Sequence, residues 1–262
     1  MIEISYLNSK ANISEIGAYL YLLTLNGKKI LLDGNLNNPT HGGMAILIPF
    51  ANRIKNGEYI FENKKYVLRK NSEGNAIHGL ILDKKFSIKQ NDKNFLSLNY
   101  HLIDDGYPTE LNIFVNYKIT ERNLSVEYAI ENIGNSNGPL TVGGHPYFLI
   151  DQDYTILPRF VKKCLSINKI PTGEIVDFDL NNSKEYDDCF LVGNSIKLIS
   201  GYSNIEINTE GMPYFQIYTG IKNSIAIEPM SGAPDAYNNK IGLKILKPND
   251  ISYFRFDINL IT

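Results

Sequence analysis

Tryptophan is absent from this chain of 262 residues, and cysteine and histidine are rare, with two and four residues. The two cysteines, Cys164 and Cys189, form neither a CxxC pair nor the spacing of a zinc site. The sequence therefore predicts no bound metal. The thiols are expected to be reduced, as in cytoplasmic proteins.

Long apolar runs and excess charge are also missing. No apolar run approaches the roughly 18 residues that cross a bilayer. The first residues, MIEISYLNSK, lack the basic and apolar regions of a secretion signal. The net charge is −2, and no basic run of the kind that follows phosphates occurs. We therefore expect a cytoplasmic protein that binds neither membranes nor nucleic acids.

Several signatures of cofactor-dependent or covalent enzymes are missing too. The sequence contains no P-loop, no GxGxxG, no HExxH and no GxSxG. What remains is acid/base chemistry without a cofactor, or binding alone.

What is present is an apolar period of two. Ile113, Val115, Tyr117 and Ile119 lie at alternate positions, and after the polar TERN the alternation continues in LSVEYAI. This pattern predicts a hairpin with one buried face. FRFDINL repeats it near the C-terminus, and shorter runs occur in YLYLLTL, KKILLDG, KKYVLRK and FSIKQ. Turn residues separate the runs without a linker or a shift in composition, so we predict one all-β domain over residues 1–262, a sandwich or a barrel.

Four polar residues stand where a sandwich would favour simple turns: Arg53, His78, His145 and Glu228. Glu228 follows the apolar SIAI, and burial there would raise its pKa and suit it to general-base work, although a structural carboxylate fits the position equally well. His145, in GGHPYF, follows two glycines, which allow another backbone or a ligand to approach closely. Taken alone, the histidines are typical of core or turn residues, and Arg53 is typical of a surface arginine.

Taken together and in order, the segments of this chain resemble the aldose 1-epimerases, the galactose mutarotase-like proteins. The matching segments are GGMAILIPFANRIKNGEYIFENKKYVL, NAIHGL, DDGYPTELNIFVNYKIT, GGHPYF, PTGEI, YDDCF, FQIYTG and AIEPMSGAPDA. The resemblance implies a β-supersandwich of large, mostly antiparallel sheets with a sugar cleft. It also implies the interconversion of the α and β anomers of a free aldose, without cofactor or metal.

The resemblance implies roles for three catalytic residues. His145 would be the general acid that protonates the ring oxygen of the sugar. Glu228 would be the general base that takes the proton from the C1 hydroxyl, and His78 would hydrogen-bond the sugar near the ring oxygen. A histidine and a carboxylate of raised pKa suit a reaction in which each group gives and takes a proton in every cycle.

Three further residues are expected, by the same resemblance, to bind sugar hydroxyls. They are Arg53, Asp187 and Gln216, of which Gln216 in FQIYTG is the weaker candidate. Asp187 is the first aspartate of YDDCF, and Asp188 is the alternative if the alignment shifts by one residue. Because tryptophan is absent, an aromatic platform for the sugar must be Tyr or Phe. Tyr147 and Phe148 are interpreted as core residues.

Three positions depart from the family pattern. Leu149 stands where galactose mutarotases often carry Asn, which leaves the preferred sugar open. His41 and His101 match no site of the family, and they are interpreted as a loop residue and a strand-face residue.

Two other functions stay open beside a free-hexose epimerase. A hexose-6-phosphate epimerase would need additional basic residues at the cleft mouth. A carbohydrate-binding protein without catalysis would use the same fold. The expected partner is a small-molecule sugar, and the chain is expected to be a monomer or a homodimer. The candidates for a phosphate site are Lys55, Lys64, Lys65 and Arg69.

Overall fold

The computed structural model describes residues 1–180 and 185–261, whose regular secondary structure is almost entirely antiparallel strands. In chain order the strands are β1 (Ile2–Tyr6), β2 (Ser9–Ile13), β3 (Leu20–Leu25), β4 (Lys28–Lys29), β5 (Met44–Leu47), β6 (Arg53–Ile54), β7 (Glu58–Phe61), β8 (Lys64–Val67), β9 (Ala76–Ile77), β10 (Ser87–Asp92), β11 (Phe95–Leu102), β12 (Leu111–Ile119), β13 (Asn123–Asn132), β14 (Gly138–Leu140), β15 (Gly143–Leu149), β16 (Tyr154–Leu157), β17 (Phe160–Ile167), β18 (Ile170–Asp179), β19 (Asp187–Leu191), β20 (Ser195–Ser200), β21 (Asn204–Glu210), β22 (Tyr214–Tyr218), β23 (Ser224–Met230), β24 (Lys244–Leu246) and β25 (Ile251–Leu260). A 3₁₀ turn covers Lys55–Gly57, and the helix α1 covers Ala236–Asn239. The predicted all-β class is confirmed.

The larger sheet has the strand order β1-β2-β3-β5-β15-β23-β22-β19-β17-β18, with β4 paired to β3. Its central strands β5, β15 and β23 are buried along almost their whole length. Because successive side chains of a strand point to opposite faces, alternate residues reach two different environments. Ile46 and Phe148 belong to the main core, whereas Leu47 and Met230 belong to a second cluster on the opposite face.

The second sheet has the strand order β10-β11-β12-β13-β25-β21-β20-β16. The hairpin predicted from the period of two is confirmed, since Ile113 faces Ile130 and Tyr117 faces Val126 across β12 and β13. β25 lies on the other side of β13, where Phe256 faces Val126. Buried residues alternate along all three strands, and their apolar side chains form much of the main core.

The two sheets pack face to face, and the glycines of GGHPYF lie at the contact. A Cβ added to Gly144 would lie only 2.8 Å from Cζ of Phe256, so no larger residue fits there without a shift. One residue earlier, the Tyr128 hydroxyl donates a hydrogen bond to the carbonyl of Gly143, at 3.1 Å. The close approach expected at these glycines is therefore made by the second sheet.

Three two-stranded sheets, β6–β9, β7–β8 and β14–β24, complete the described strands. The run KKILLDG is a strand only at its start, in β4, followed by an isolated bridge between Leu31 and Phe148. Of the helical segments in the described ranges, none is long and apolar enough to cross a membrane.

Candidate active site

The two candidate proton-transfer residues lie on the face of the larger sheet that points away from the second sheet. His145 lies in β15 and Glu228 in the adjacent strand β23. Alternation sends Gly144 and Phe148 toward the main core, and His145 and Tyr147 toward the opposite face. Nε2 of His145 is 3.4 Å from Oε1 of Glu228, and both side chains are buried.

The next two strands add polar side chains on the same face. Gln216 of β22 stands directly opposite Glu228, and its amide donates to Oδ1 of Asp187 at 2.9 Å. Asp187 begins β19 and lines the same cavity as Glu228. Asp188 instead forms an ion pair with Lys163 at 2.8 Å. The structure thus places the first aspartate of YDDCF, and not the second, beside the other candidates.

Arg53 and His78 come from another part of the chain, the paired strands β6 and β9. Arg53 begins β6, and His78 directly follows β9 in a left-handed conformation, with φ of 65°. The His78 backbone N–H donates to the carbonyl of Asn52 at 2.7 Å, which supports this uncommon conformation. Gly79 also has positive φ, and a Cβ there would lie 2.3 Å from the carbonyl oxygen of Ile48. The His-Gly pair therefore needs its glycine for backbone reasons.

All six residues predicted from the sequence line one cavity of about 420 Å³. This volume is at the lower end of the roughly 300–1,000 Å³ typical of small-molecule sites. The lining consists of Asn38, Thr40, His41, Asn52, Arg53, Asn71, Ser72, Ile77, His78, His145, Tyr147, Lys169, Asp187, Gln216, Tyr218 and Glu228.

Burial shifts the pKa values of the titratable groups at the base of this cavity. It lowers the pKa of His145 from 6.5 to about 3, because the protonated imidazole is poorly solvated there. The pKa of His78 is well below its usual value, first through burial and then through the charges of His145 and Arg53. The pKa of Glu228 is raised well above its usual value, first by burial and then by Asp187, while Arg53 opposes the rise.

Several buried polar atoms in the cavity have no hydrogen-bond partner among the described residues. They are Nε of Arg53, Nδ1 of His78, Nδ1 of His145, Oε1 of Gln216 and Oε2 of Glu228. Buried polar groups in folded proteins are nearly always paired, since an unpaired group loses its hydration without compensation. A concentration of such atoms in one cavity indicates a site for a ligand rich in hydroxyl groups.

Ten of the sixteen lining residues were not predicted as parts of the site, and three of them are Tyr147, His41 and Lys169. Tyr147, expected in the core, forms a wall of the cavity, with its ring stacked on that of His145 at 4.9 Å between centroids. Its hydroxyl donates to the carbonyl of Thr40 at 2.7 Å, which ties the loop carrying His41 to the site. His41 lies in a loop, as expected, and lines the cavity as well. Nothing in the local sequence distinguishes His41 from an ordinary loop histidine.

Lys169 is the third residue of this kind. It lies in the tight turn between β17 and β18, where it and Asn168 both have positive φ. Its ammonium group is 3.2 Å from Oδ2 of Asp187 and 3.1 Å from Oε1 of Glu73. A lysine in a turn gives no sequence signal for a binding site, because its position over the cavity depends on the whole sheet.

The four basic residues considered for a phosphate site do not line the cavity. Lys65 forms an ion pair with Glu58 at 2.8 Å, and the ammonium of Lys64 lies over the ring of Tyr66. Lys55 and Arg69 line two other surface pockets.

The two cysteines do not line the cavity. Cys164 and Cys189 are free thiols, and both are buried in the second apolar cluster. Within residues 1–180 and 185–261, no group of three or more His, Cys, Asp or Glu side chains is arranged to hold a metal ion.

Comparison with known proteins agrees with the geometry. The family model described as Aldose 1-epimerase matches residues 1–258. The Escherichia coli K12 protein YihR is 29% identical over 266 residues, which cover 90% of this chain and 85% of YihR. Human galactose mutarotase is 30% identical over 177 residues, which cover 59% of this chain and 49% of the mutarotase.

Solved structures share the fold at lower identity. A galactose mutarotase-like protein from Clostridium acetobutylicum has a TM-score of 0.85 at 18% identity, covering 98% of this chain and 93% of the other. The GalM/aldose epimerase homologue from C. elegans has a TM-score of 0.84 at 20% identity, covering 98% and 97%. The sheets described above are thus those of the galactose mutarotase-like β-supersandwich. Since the family model spans nearly the whole chain, the protein belongs to the aldose 1-epimerase family.

Proposed function

We propose that the protein is an aldose 1-epimerase that interconverts the α and β anomers of a free hexose without a cofactor. The observation that carries this proposal is the contact of His145 and Glu228, 3.4 Å apart in a cavity sized for a small molecule. Ring opening of a hemiacetal needs one proton donor and one proton acceptor at the same carbon, and these two groups supply both functions.

In the proposed reaction Glu228 removes the proton of the C1 hydroxyl. The electrons of that O–H bond form the carbonyl at C1, and the bond from C1 to the ring oxygen breaks. His145 donates its proton to the ring oxygen, which becomes the C5 hydroxyl. After rotation about C1–C2, the C5 hydroxyl attacks the other face of the aldehyde. His145 takes back a proton, and Glu228 returns one to the new C1 hydroxyl.

The pair needs a single proton between its two members. Burial favours a protonated Glu228 and a neutral His145, because it disfavours both charges. The ion pair contains the same number of protons and differs only in which atom holds the proton. The positive charge of Arg53 favours the carboxylate form of Glu228, the form that acts as base.

The other lining residues would bind and orient the sugar. A buried polar atom in each of Arg53, His78 and Gln216 finds no partner within the described part of the chain, and these atoms can pair with sugar hydroxyls or the ring oxygen. The rings of Tyr147 and Tyr218 line the cavity and supply the aromatic surface that tryptophan offers in other sugar sites.

The charges around the cavity favour a neutral sugar over a sugar phosphate. Arg53 and Lys169, the two strong cations that the described part of the chain places in the lining, are each already paired with the carboxylate of Glu73. Asp187 and Glu228 add further negative charge to the lining. Among residues 1–180 and 185–261, a phosphate group would therefore meet acidic groups without an unpaired cation of the lining to offset them.

Polarimetry of freshly dissolved α-D-glucose and α-D-galactose at pH 7, with and without the protein, tests the proposal. We expect acceleration over the spontaneous rate and its loss in Glu228→Gln. His101→Gln is the matched control, because His101 lies outside the cavity and pairs with Glu110 on the surface. Acceleration on glucose 6-phosphate alone would replace the free hexose by its phosphate. Binding of sugar without anomer exchange would leave only a carbohydrate-binding protein.

A further inference from the structure

A chain of ion pairs crosses the rim of the cavity. Nη2 of Arg53 is 3.5 Å from Oε2 of Glu73, and the other oxygen of Glu73 is 3.1 Å from Nζ of Lys169. The same Nζ is 3.2 Å from Oδ2 of Asp187, whose Oδ1 accepts from Gln216. We call Arg53, Glu73, Lys169 and Asp187 the rim bridge.

The rim bridge joins two distant parts of the chain. Glu73 lies in the loop between β8 and β9, and Lys169 lies in the turn between β17 and β18. Their side chains are 45% and 43% exposed, in contrast to 7% for Arg53, so the central contact is at the surface. Glu73 does not line the cavity, whereas Lys169 does. Glu73 therefore holds Lys169 over the opening from outside.

The chemistry of the sugar places a particular part of it near this bridge. With C1 and the ring oxygen at His145 and Glu228, C4 lies at the opposite end of a pyranose ring. Asp187, a predicted hydroxyl-binding residue, belongs to both the cavity lining and the bridge. A sugar oriented from the catalytic pair toward Asp187 therefore directs its far hydroxyls to the rim.

We propose that Lys169 and Glu73 determine substrate size: the bridge admits a monosaccharide and must open before a sugar carrying a substituent at the far end can bind. This inference rests on the proposed function. The bridge is selective without being a fixed wall, because an exposed ion pair is weak and is screened by salt.

The cost of opening sets the size of the expected effect. In a reducing disaccharide such as maltose, the second sugar is attached through the C4 hydroxyl. Binding of maltose therefore requires the ion pair to break, which costs free energy, whereas binding of glucose does not. Breaking an exposed ion pair of this kind should weaken the binding of maltose by about two- to fivefold. Lys169→Ala and Glu73→Ala should each raise the ratio of kcat/KM on maltose to that on glucose by this factor. The double variant should show less than the sum of the two gains, since both changes remove the Glu73–Lys169 contact, although each also removes a second pair, with Arg53 or with Asp187.

Polarimetric kinetics on the two sugars, at low salt and in 1 M NaCl, measure the ratio. Salt should raise the ratio in the parent protein and leave it unchanged in Lys169→Ala, a dependence that a merely structural role would not produce. Lys162→Ala is the matched control, because it removes an ion pair with Asp177 (3.1 Å) in the same hairpin but outside the cavity. Its ratio should equal that of the parent.

Two results would overturn the inference while the proposed function stands. One is an unchanged ratio in both single variants of an active protein. The other is an equal fall of kcat/KM on both sugars in Lys169→Ala, which would make Lys169 a direct binding residue. A parent protein that accelerates neither sugar would overturn the proposed function and, with it, the role of the bridge.

Discussion

Replacing His145 by glutamine is expected to change how the stability of the protein depends on pH. Burial lowers the pKa of His145 to about 3 in the folded protein, whereas a histidine in an unfolded chain titrates near 6.5. Between these pH values the unfolded state binds a proton that the folded state excludes. The folded state therefore keeps its full stability above pH 6.5 and loses stability as the pH falls toward 3.

The magnitude follows from the width of that window. For each excluded proton, the free energy of unfolding falls by about 1.4 kcal/mol per pH unit below 6.5. Lowering the pH from 7.5 to 5 should therefore reduce the free energy of unfolding of the parent by about 2 kcal/mol through His145. The His145→Gln variant lacks this titrating group, so its free energy of unfolding should fall by about 2 kcal/mol less between pH 7.5 and pH 5. Any constant effect of the substitution itself cancels in this comparison between two pH values.

Urea unfolding followed by far-ultraviolet circular dichroism at pH 7.5 and pH 5 measures the difference, since the chain has no tryptophan for fluorescence. The control is Leu149→Ala at the end of the same strand, which removes no titratable group. This control should lose stability in parallel with the parent. If His145→Gln also runs parallel to the parent, His145 is not held neutral by burial, and the reasoning fails.

Three other predictions concern the site and its support. Glu228→Gln should lower kcat by about 10²- to 10⁴-fold in polarimetry, because an amide cannot accept the C1 proton, and a smaller loss would move the base elsewhere. Asp187→Asn should shift the acid limb of the kcat/KM profile to lower pH, because the charge of Asp187 helps to raise the pKa of Glu228; an unmoved limb would show that the two are not coupled. Gly144→Ala should lower the free energy of unfolding in urea by about 1–3 kcal/mol, since its methyl group meets Phe256, and Phe256→Leu should recover part of the loss if that contact is the cause.

Much of the architecture could be predicted from the sequence because apolar and polar residues alternate along many of the strands. The β12–β13 hairpin is the clearest case, since one apolar residue in two falls on the buried face of both strands. The central strands of the larger sheet gave a weaker signal. MAIL and SIAIEPM are buried on both faces, and a continuous apolar run does not reveal which of its side chains face a cavity.

The candidate site was predictable only as an ordered set of short segments. Each candidate is ambiguous alone, and the structure brings all six into one cavity. Lys169 and Glu73 could not be foreseen, because their contact joins two turns about a hundred residues apart and neither turn carries a periodic pattern. The basic residues near Arg53 do not line the cavity, which shows that closeness in sequence does not give closeness to the site.

The alternation of side chains along β15 and β23 has a consequence for how this protein can be altered. Cleft residues and core residues occupy neighbouring positions but opposite faces, so substitutions in the cleft row leave the packing of the sheets in place. A library of side-chain replacements on that row, with His145 and Glu228 kept, can therefore search for new sugar preferences at little risk to folding. Deleting one residue at the start of β15 would exchange its two rows, turning His145 toward the apolar interior and Phe148 toward the cleft, and a deletion at the start of β23 would turn Glu228 inward. Sugar preference can thus be redesigned by substitution, while the lengths of these strands must stay fixed.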